Sequence, residues 1–144
     1  VTRLIGLDHG SRRIGVAVGD TDTGIAFARP ALRRQNTAAD LDAIARIASD
    51  EDARAIVLGL PRNMDGTEGV QAAAARKFGE RLAAIGLAVD FHDERLTSWQ
   101  ALEQMGPRRG RDRRSGELDS AAARLILQEY LDAGLRPRFP QEAE

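Results

Sequence analysis

Residues 4–20, LIGLDHGSRRIGVAVGD, read as an apolar strand, a tight turn at Gly10 and a second strand, and the rest of the chain is placed by that hairpin. The second run alternates Ile14, Val16 and Val18 with Gly15, Ala17 and Gly19, so one face is branched and the other nearly bare. A bare face lets a helix or another backbone come close to the sheet. Asp8 ends the first run, a carboxylate at the mouth of the hairpin. It suits a divalent metal, and it equally suits the capping of a turn.

Outward from the hairpin, residues 24–34 (GIAFARPALRR) read as a third strand whose Pro30 requires an edge position or a bulge. Three strands on short turns make an antiparallel meander. Thr37 then reads as an N-cap, with Leu41, Ile44, Ala45 and Ala48 forming one helical stripe. Residues 53–60 (ARAIVLGL) are a short apolar run rich in branched residues, of the kind that fits a strand covered on both faces. Coming after a helix, that strand can lie parallel to the first. A loop over residues 61–69 leads into a second helix striped by Val70, Ala74, Phe78, Leu82 and Ile85, and Gly86 closes it. Residues 87–93 give a fifth strand, Thr97 and Gln100 open a short third helix, and a last helix runs from about Glu117 to Ala133. Its buried stripe is Leu118, Ala122, Leu125 and Ile126, with Gly134 as its stop.

The order predicts an α/β fold: a mixed five-stranded sheet, three strands in a meander and two added in parallel, flanked by helices. At 144 residues we expect one domain over residues 1–135 and a flexible tail over 136–144. There is no internal repeat. No apolar run reaches the roughly 20 residues of a membrane span, and no signal-like segment opens the sequence, so we expect a cytoplasmic protein without a membrane partner.

The chain has no cysteine, which excludes disulfides, thiolate metal sites and cysteine nucleophiles, and only His9 and His92 offer imidazole. Any metal would be held mainly by oxygen, which favours Mg2+ or Mn2+. In open sheets of this kind, sites lie off the carboxyl ends of the parallel strands. Asp8 ends the first strand, Glu94 follows the fifth, and Asp119 lies in the first turn of the last helix. Far apart in sequence, they fall at matching ends of different elements. Three such carboxylates suit one or two divalent ions and the hydrolysis of phosphodiesters. Taken singly, each has a plainer role: Glu94 can belong to a solvated strand end that spacing does not separate from Asp93, and Asp119 can simply favour the helix dipole. The histidines read as ordinary polar residues.

Of 21 basic residues only Lys77 is lysine. Arg108, Arg109, Arg111, Arg113 and Arg114 crowd one loop without a large apolar residue, and would grip phosphates without reading sequence. Arg12 in the hairpin turn, and Arg62 and Asn63 ahead of the second helix, are further candidates for phosphate contact. With Trp99 and Tyr130 the sole tryptophan and tyrosine, no base-stacking platform is expected.

Four blocks in order, DHGSRRIGVAVGD, VLGLPRNMDGTEG, HDERLTS and LDSAAARLILQEYL, resemble the YqgF or RuvX family of RNase H-like nucleases over about residues 4–131. The resemblance implies an RNase H-like fold and a divalent-metal endonuclease, with two proposed duties: maturing the 5' end of pre-16S rRNA, and resolving Holliday junctions. Asp8 falls on the family's first-strand aspartate, Glu94 on the glutamate of DER, and Asp119 on the aspartate before the paired alanines. The family's lysine-bearing basic stretch is RGRDRRSGE here, leaving the lysine's counterpart open between Arg113 and Arg114. The implied partners are structured RNA or branched DNA. A symmetric junction would favour a homodimer with two sites on opposed strands. Two other classes compete: a non-catalytic nucleic-acid-binding factor using the arginine loop, and phosphate transfer on a nucleotide, which the length of the chain disfavours.

Overall fold

The computed structural model describes residues 2–93 and 117–138, with the side chains of 117–119 outside that set. Five strands, β1 (Arg3–His9), β2 (Arg13–Asp20), β3 (Ala26–Arg33), β4 (Ala55–Leu60) and β5 (Ala88–Asp93), form one sheet in the order β3-β2-β1-β4-β5. β1, β2 and β3 are antiparallel, and β4 and β5 extend β1 in parallel. This is the mixed sheet expected from the sequence. Helices α1 (Thr37–Asp50) and α2 (Val70–Ala84) cover one face, and α3 (Glu117–Asp132) covers the other.

The alternation of β2 sorts the core into two layers. Ile14, Val16 and Val18 join Ile5, Leu7, Ile56 and Leu58 beneath Ile44 of α1 and Phe78 and Leu82 of α2. Ala17 joins Leu4 and Val57 beneath Ala123, Ile126, Leu127 and Tyr130 of α3. α3 comes in close because its side of the sheet is bare: a Cβ on Gly6 would lie 2.8 Å from Leu127 Cβ and 3.0 Å from the Ala123 carbonyl oxygen. β4 is buried at all six positions, as a strand between two helical layers must be.

Pro30 lies on the edge strand and also at an irregularity. Ile14 pairs with Leu32 but Val16 with Arg29, so β3 spends one extra residue there. Ser120 of α3 fits into this bulge. Its hydroxyl donates to the Arg29 carbonyl at 2.6 Å and accepts from the Val16 amide at 3.5 Å. The first turn of α3 is thereby pinned to the sheet.

Three local expectations are corrected. α1 is capped by Asn36, whose side chain accepts from the Ala39 amide at 2.9 Å, and Thr37 is already helical. Asparagine is the better cap, since its carbonyl oxygen reaches the free amides with little strain. On α2 the buried stripe is Ala72, Ala75, Phe78, Gly79 and Leu82, while Val70 is 87% exposed and Ile85 49%. Apolarity misled there, because alanines and a glycine allow the helix to sit close to Phe91 and Leu58 where larger residues would hold it off. On α3 the stripe extends to Ala123, Leu127 and Tyr130, with Leu118 outside the described side chains. The short helix expected near residues 97–105 also lies outside the described residues, as do residues 139–144; Pro137 is buried. No described helix is long and apolar enough to cross a membrane.

Candidate functional site

The parallel ladder between β1 and β4 ends at Leu7 and Leu58, and the next residue of β1 is Asp8. Asp8 therefore stands at the carboxyl end of the central strand. Alternation from Leu4 and Gly6 puts it on the α3 face. Across β2 its partner is Gly15, and one step beyond the β4 ladder it comes abreast of Gly59, so both flanking positions lack side chains. Asp8 itself is half-buried.

The other two carboxylates are placed to different degrees. Glu94 lies outside the described residues, and β5 ends at Asp93 beside it. Asp93 follows Phe91 onto the α2 side, away from Asp8, so the described geometry does not bring Asp93 to Asp8. Asp119 sits in the first turn of α3, next to Ser120, and the Ser120 bonds to Val16 and Arg29 hold that turn over the end of the sheet where Asp8 lies. Ser120 carries a role that sequence reading missed. A short polar residue after Asp119, opposite a proline-bearing strand, was the available signal. Among the described residues no three His, Asp or Glu side chains cluster as a metal site.

The two histidines go to opposite faces. His92 pairs with Gly59 on the α3 side, where its Nε2 lies 3.0 Å from Glu129 Oε1. Nearby the Tyr130 hydroxyl donates to Asp90 at 2.7 Å, and burial with that bond pushes the phenol's pKa up. His9 lies on the other face with its ring 4.7 Å from that of Phe78. Burial, and then the neighbouring Arg34 cation, lower its pKa to about 4, so it is neutral near pH 7. Its Nε2 is enclosed and has no hydrogen-bond partner among the described residues.

Among the candidate phosphate contacts, Arg12 is exposed in the β1–β2 turn, as expected. Arg62 faces Glu68, Nη2 to Oε2 at 3.5 Å, although its Nε has no hydrogen-bond partner among the described residues. Glu68 is also held by both Nε and Nη2 of Arg76 at 2.7 Å, and that bond lowers the carboxyl's pKa. Asn63 is committed to its own loop, donating from its backbone to the Thr67 carbonyl and from its side chain to Thr67 Oγ1 at 3.0 Å. Gly66 makes that turn at φ 89°. The loop is a closed, self-bonded turn ahead of α2. Arg108, Arg109, Arg111, Arg113 and Arg114 lie outside the described residues.

The model of one protein family, RuvX Holliday junction resolvase, matches residues 2–133. A relative from Anaeromyxobacter dehalogenans, named as a candidate pre-16S rRNA nuclease, is 46% identical over 133 residues, covering 90% of this chain and 96% of the relative. One from Citrobacter koseri with the same name is 40% identical over 133 residues, covering 91% and 96%. Among solved structures, Thermus thermophilus RuvC in complex with a Holliday junction superposes with a TM-score of 0.56 at 12% identity, over 96% of this chain and all of that one. The fowlpox virus resolvase with its junction DNA gives 0.55 at 12% identity, over 94% and 100%. These likenesses show an RNase H-like, RuvC-type fold.

Proposed function

The chain belongs to the RuvX Holliday junction resolvase family and is a nuclease, and on that premise we propose that Asp8, Glu94 and Asp119 form its divalent-metal centre. The observation that carries this reading is Asp8 itself, at the carboxyl end of the central parallel strand, between two positions without side chains, under the pinned first turn of α3. An all-oxygen donor set in a chain without cysteine fits Mg2+ or Mn2+ better than softer ions. Bound there, such ions would activate water and neutralise charge on the leaving oxygen.

The chain's own residues do the positioning. Gly15 and Gly59 leave the space beside Asp8 that a phosphodiester needs, and the Ser120 bonds set the height of α3 above the sheet. Arg12 and the arginines of residues 108–114 supply cations for the flanking phosphates. The substrate is structured nucleic acid, a pre-16S rRNA or a four-way junction, met in the cytoplasm. The one domain spans residues 1–135 with 136–144 as its tail, and a junction substrate calls for two copies acting on opposed strands.

The test sets a four-way junction and a pre-16S rRNA side by side in Mg2+ and in Mn2+, with Asp8→Asn as the control. The parent chain cleaves at least one, and Asp8→Asn loses at least about 100-fold in rate while binding both in chelator as the parent does. Retained cleavage removes Asp8 from the centre. Calorimetric titration with Mn2+ supplies a second readout, with a saturable signal that Asp8→Asn weakens.

A further inference from the structure

Asp8 and His9 are neighbours on β1 that face opposite sides of the sheet, and the α2 side holds a concavity that the metal centre does not use. Three connected hollows of about 260, 470 and 240 Å³ lie between the β1–β2 turn, the start of α1 and the flank of α2. Arg34 lines all three. Lys77 and Arg81, one turn apart on α2, form one wall; Arg12 and Arg33 form the other. Among the described residues no carboxylate lines any of the three, in a chain of net charge -1.

Four of the five charges are also uncommitted among the described residues. Arg34 is held by Asp40 at 3.2 Å and by the Gly10 carbonyl at 3.3 Å, and Asp40, 3% exposed, is shut beneath it. Arg12, Arg33, Lys77 and Arg81 enter no ion pair among the described residues. The floor is the stacked pair His9 and Phe78, a flat uncharged surface. Arg34 is thus a fixed cation, braced from below, and the other four surround it on exposed side chains. Gathering five like charges around Asp40 alone, their one carboxylate partner among the described residues, is unfavourable unless an anion arrives.

We propose that this groove binds the phosphate backbone of the nucleic acid at a distance from the scissile phosphate, so that the substrate straddles the carboxyl edge of the sheet, with α3 on one side and α2 on the other. The inference rests on the nuclease reading for the identity of its ligand. It adds a surface separate from the arginine loop of residues 108–114 and from the closed turn of residues 61–69. The nearest plain alternative is a pocket for a free phosphate ion.

The test replaces the two exposed groove residues on α2, Lys77→Gln with Arg81→Gln, and measures binding of a labelled four-way junction and a labelled pre-16S rRNA in chelator, across 50 to 300 mM KCl. Arg46→Gln, more than two turns beyond Thr37 on α1, is the control for loss of a positive charge outside the groove, and Lys77→Gln and Arg81→Gln are also read singly so that each can be compared with it. The double variant binds about 10-fold more weakly at the low-salt end, and its plot of log affinity against log salt is shallower by roughly 1.5, as expected for two lost phosphate contacts. Arg46→Gln leaves both unchanged. Parent affinity and slope in the double variant overturn the groove, as does failure of the parent chain to bind either probe. Displacement of the nucleic acid by a few millimolar inorganic phosphate, at an ionic strength where chloride has no effect, replaces the backbone site with a free-anion site. Because binding is read without metal, absence of cleavage by the parent chain overturns the nuclease reading alone, and the groove stands or falls on the binding comparison.

Discussion

Gly6 shows how much of the site depends on an absent side chain. A Cβ there would meet Leu127 Cβ at 2.8 Å and the Ala123 carbonyl at 3.0 Å, and neither is the far end of a flexible group. Gly6→Ala should therefore lift α3 from the sheet and cost about 1 to 3 kcal/mol in urea unfolding, a typical penalty for overpacking. Lifting α3 also moves the turn bearing Asp119, so cleavage should fall further than stability explains. His9 gives a second expectation. Its folded pKa of about 4 lies below the ordinary imidazole value of 6.5, so between those values the unfolded chain binds a proton that the folded chain does not. Stability contributed by this residue is complete above about 6.5 and is lost as the pH falls toward 4, by about 1 to 2 kcal/mol once its partial exposure to water is allowed for. Urea midpoints at pH 7 and pH 4.5 check this: His9→Phe, which keeps the ring on Phe78, should lose less stability across that interval than the parent.

At the scale of the element, α1 depends on its cap. Asn36→Ala removes the bond to the Ala39 amide and should cost about 1 kcal/mol, read from the urea midpoint, whereas Thr37→Ala should cost little. The sequence placed that helix correctly and its cap one residue late, because Asn36 and Thr37 are both good cap residues and only the backbone decides between them. The α2 stripe failed for a related reason. Pattern reading weighs Val70 and Ile85 as core, but close packing selects small residues such as Gly79, whose Cβ would lie 2.6 Å from Phe91 Cζ. The strands were more legible, since the alternation on β2 and the continuous run on β4 report directly how many faces are covered.

For the whole molecule, the two helical layers predict a gradient of protection. Amides of β4, buried at every position, should exchange with solvent slowest, and those of the edge strand β3 should exchange at least about tenfold faster in native-state hydrogen exchange. Equal rates would mean that the layers do not close over the sheet as described. At this scale the place of Asp8 near the carboxyl end of β1 was legible because the hairpin is recognisable in the sequence. The α2 groove was not, since its five cations come from three separate stretches of sequence and none of them forms a motif. Ser120 was only faintly signalled, because its partners are backbone groups of Val16 and Arg29, and Pro30 was the one sequence mark of the bulge that it enters.

The opposite facing of Asp8 and His9 also bears on which changes of length β1 could survive. A single inserted or deleted residue between Arg3 and Asp8 would exchange their sides, driving a carboxylate against Phe78 and placing an imidazole where the carboxylate belongs. The same event would destroy the core and the site together. Point substitutions can drift along this strand, but its seven-residue length is locked by two separate requirements at once.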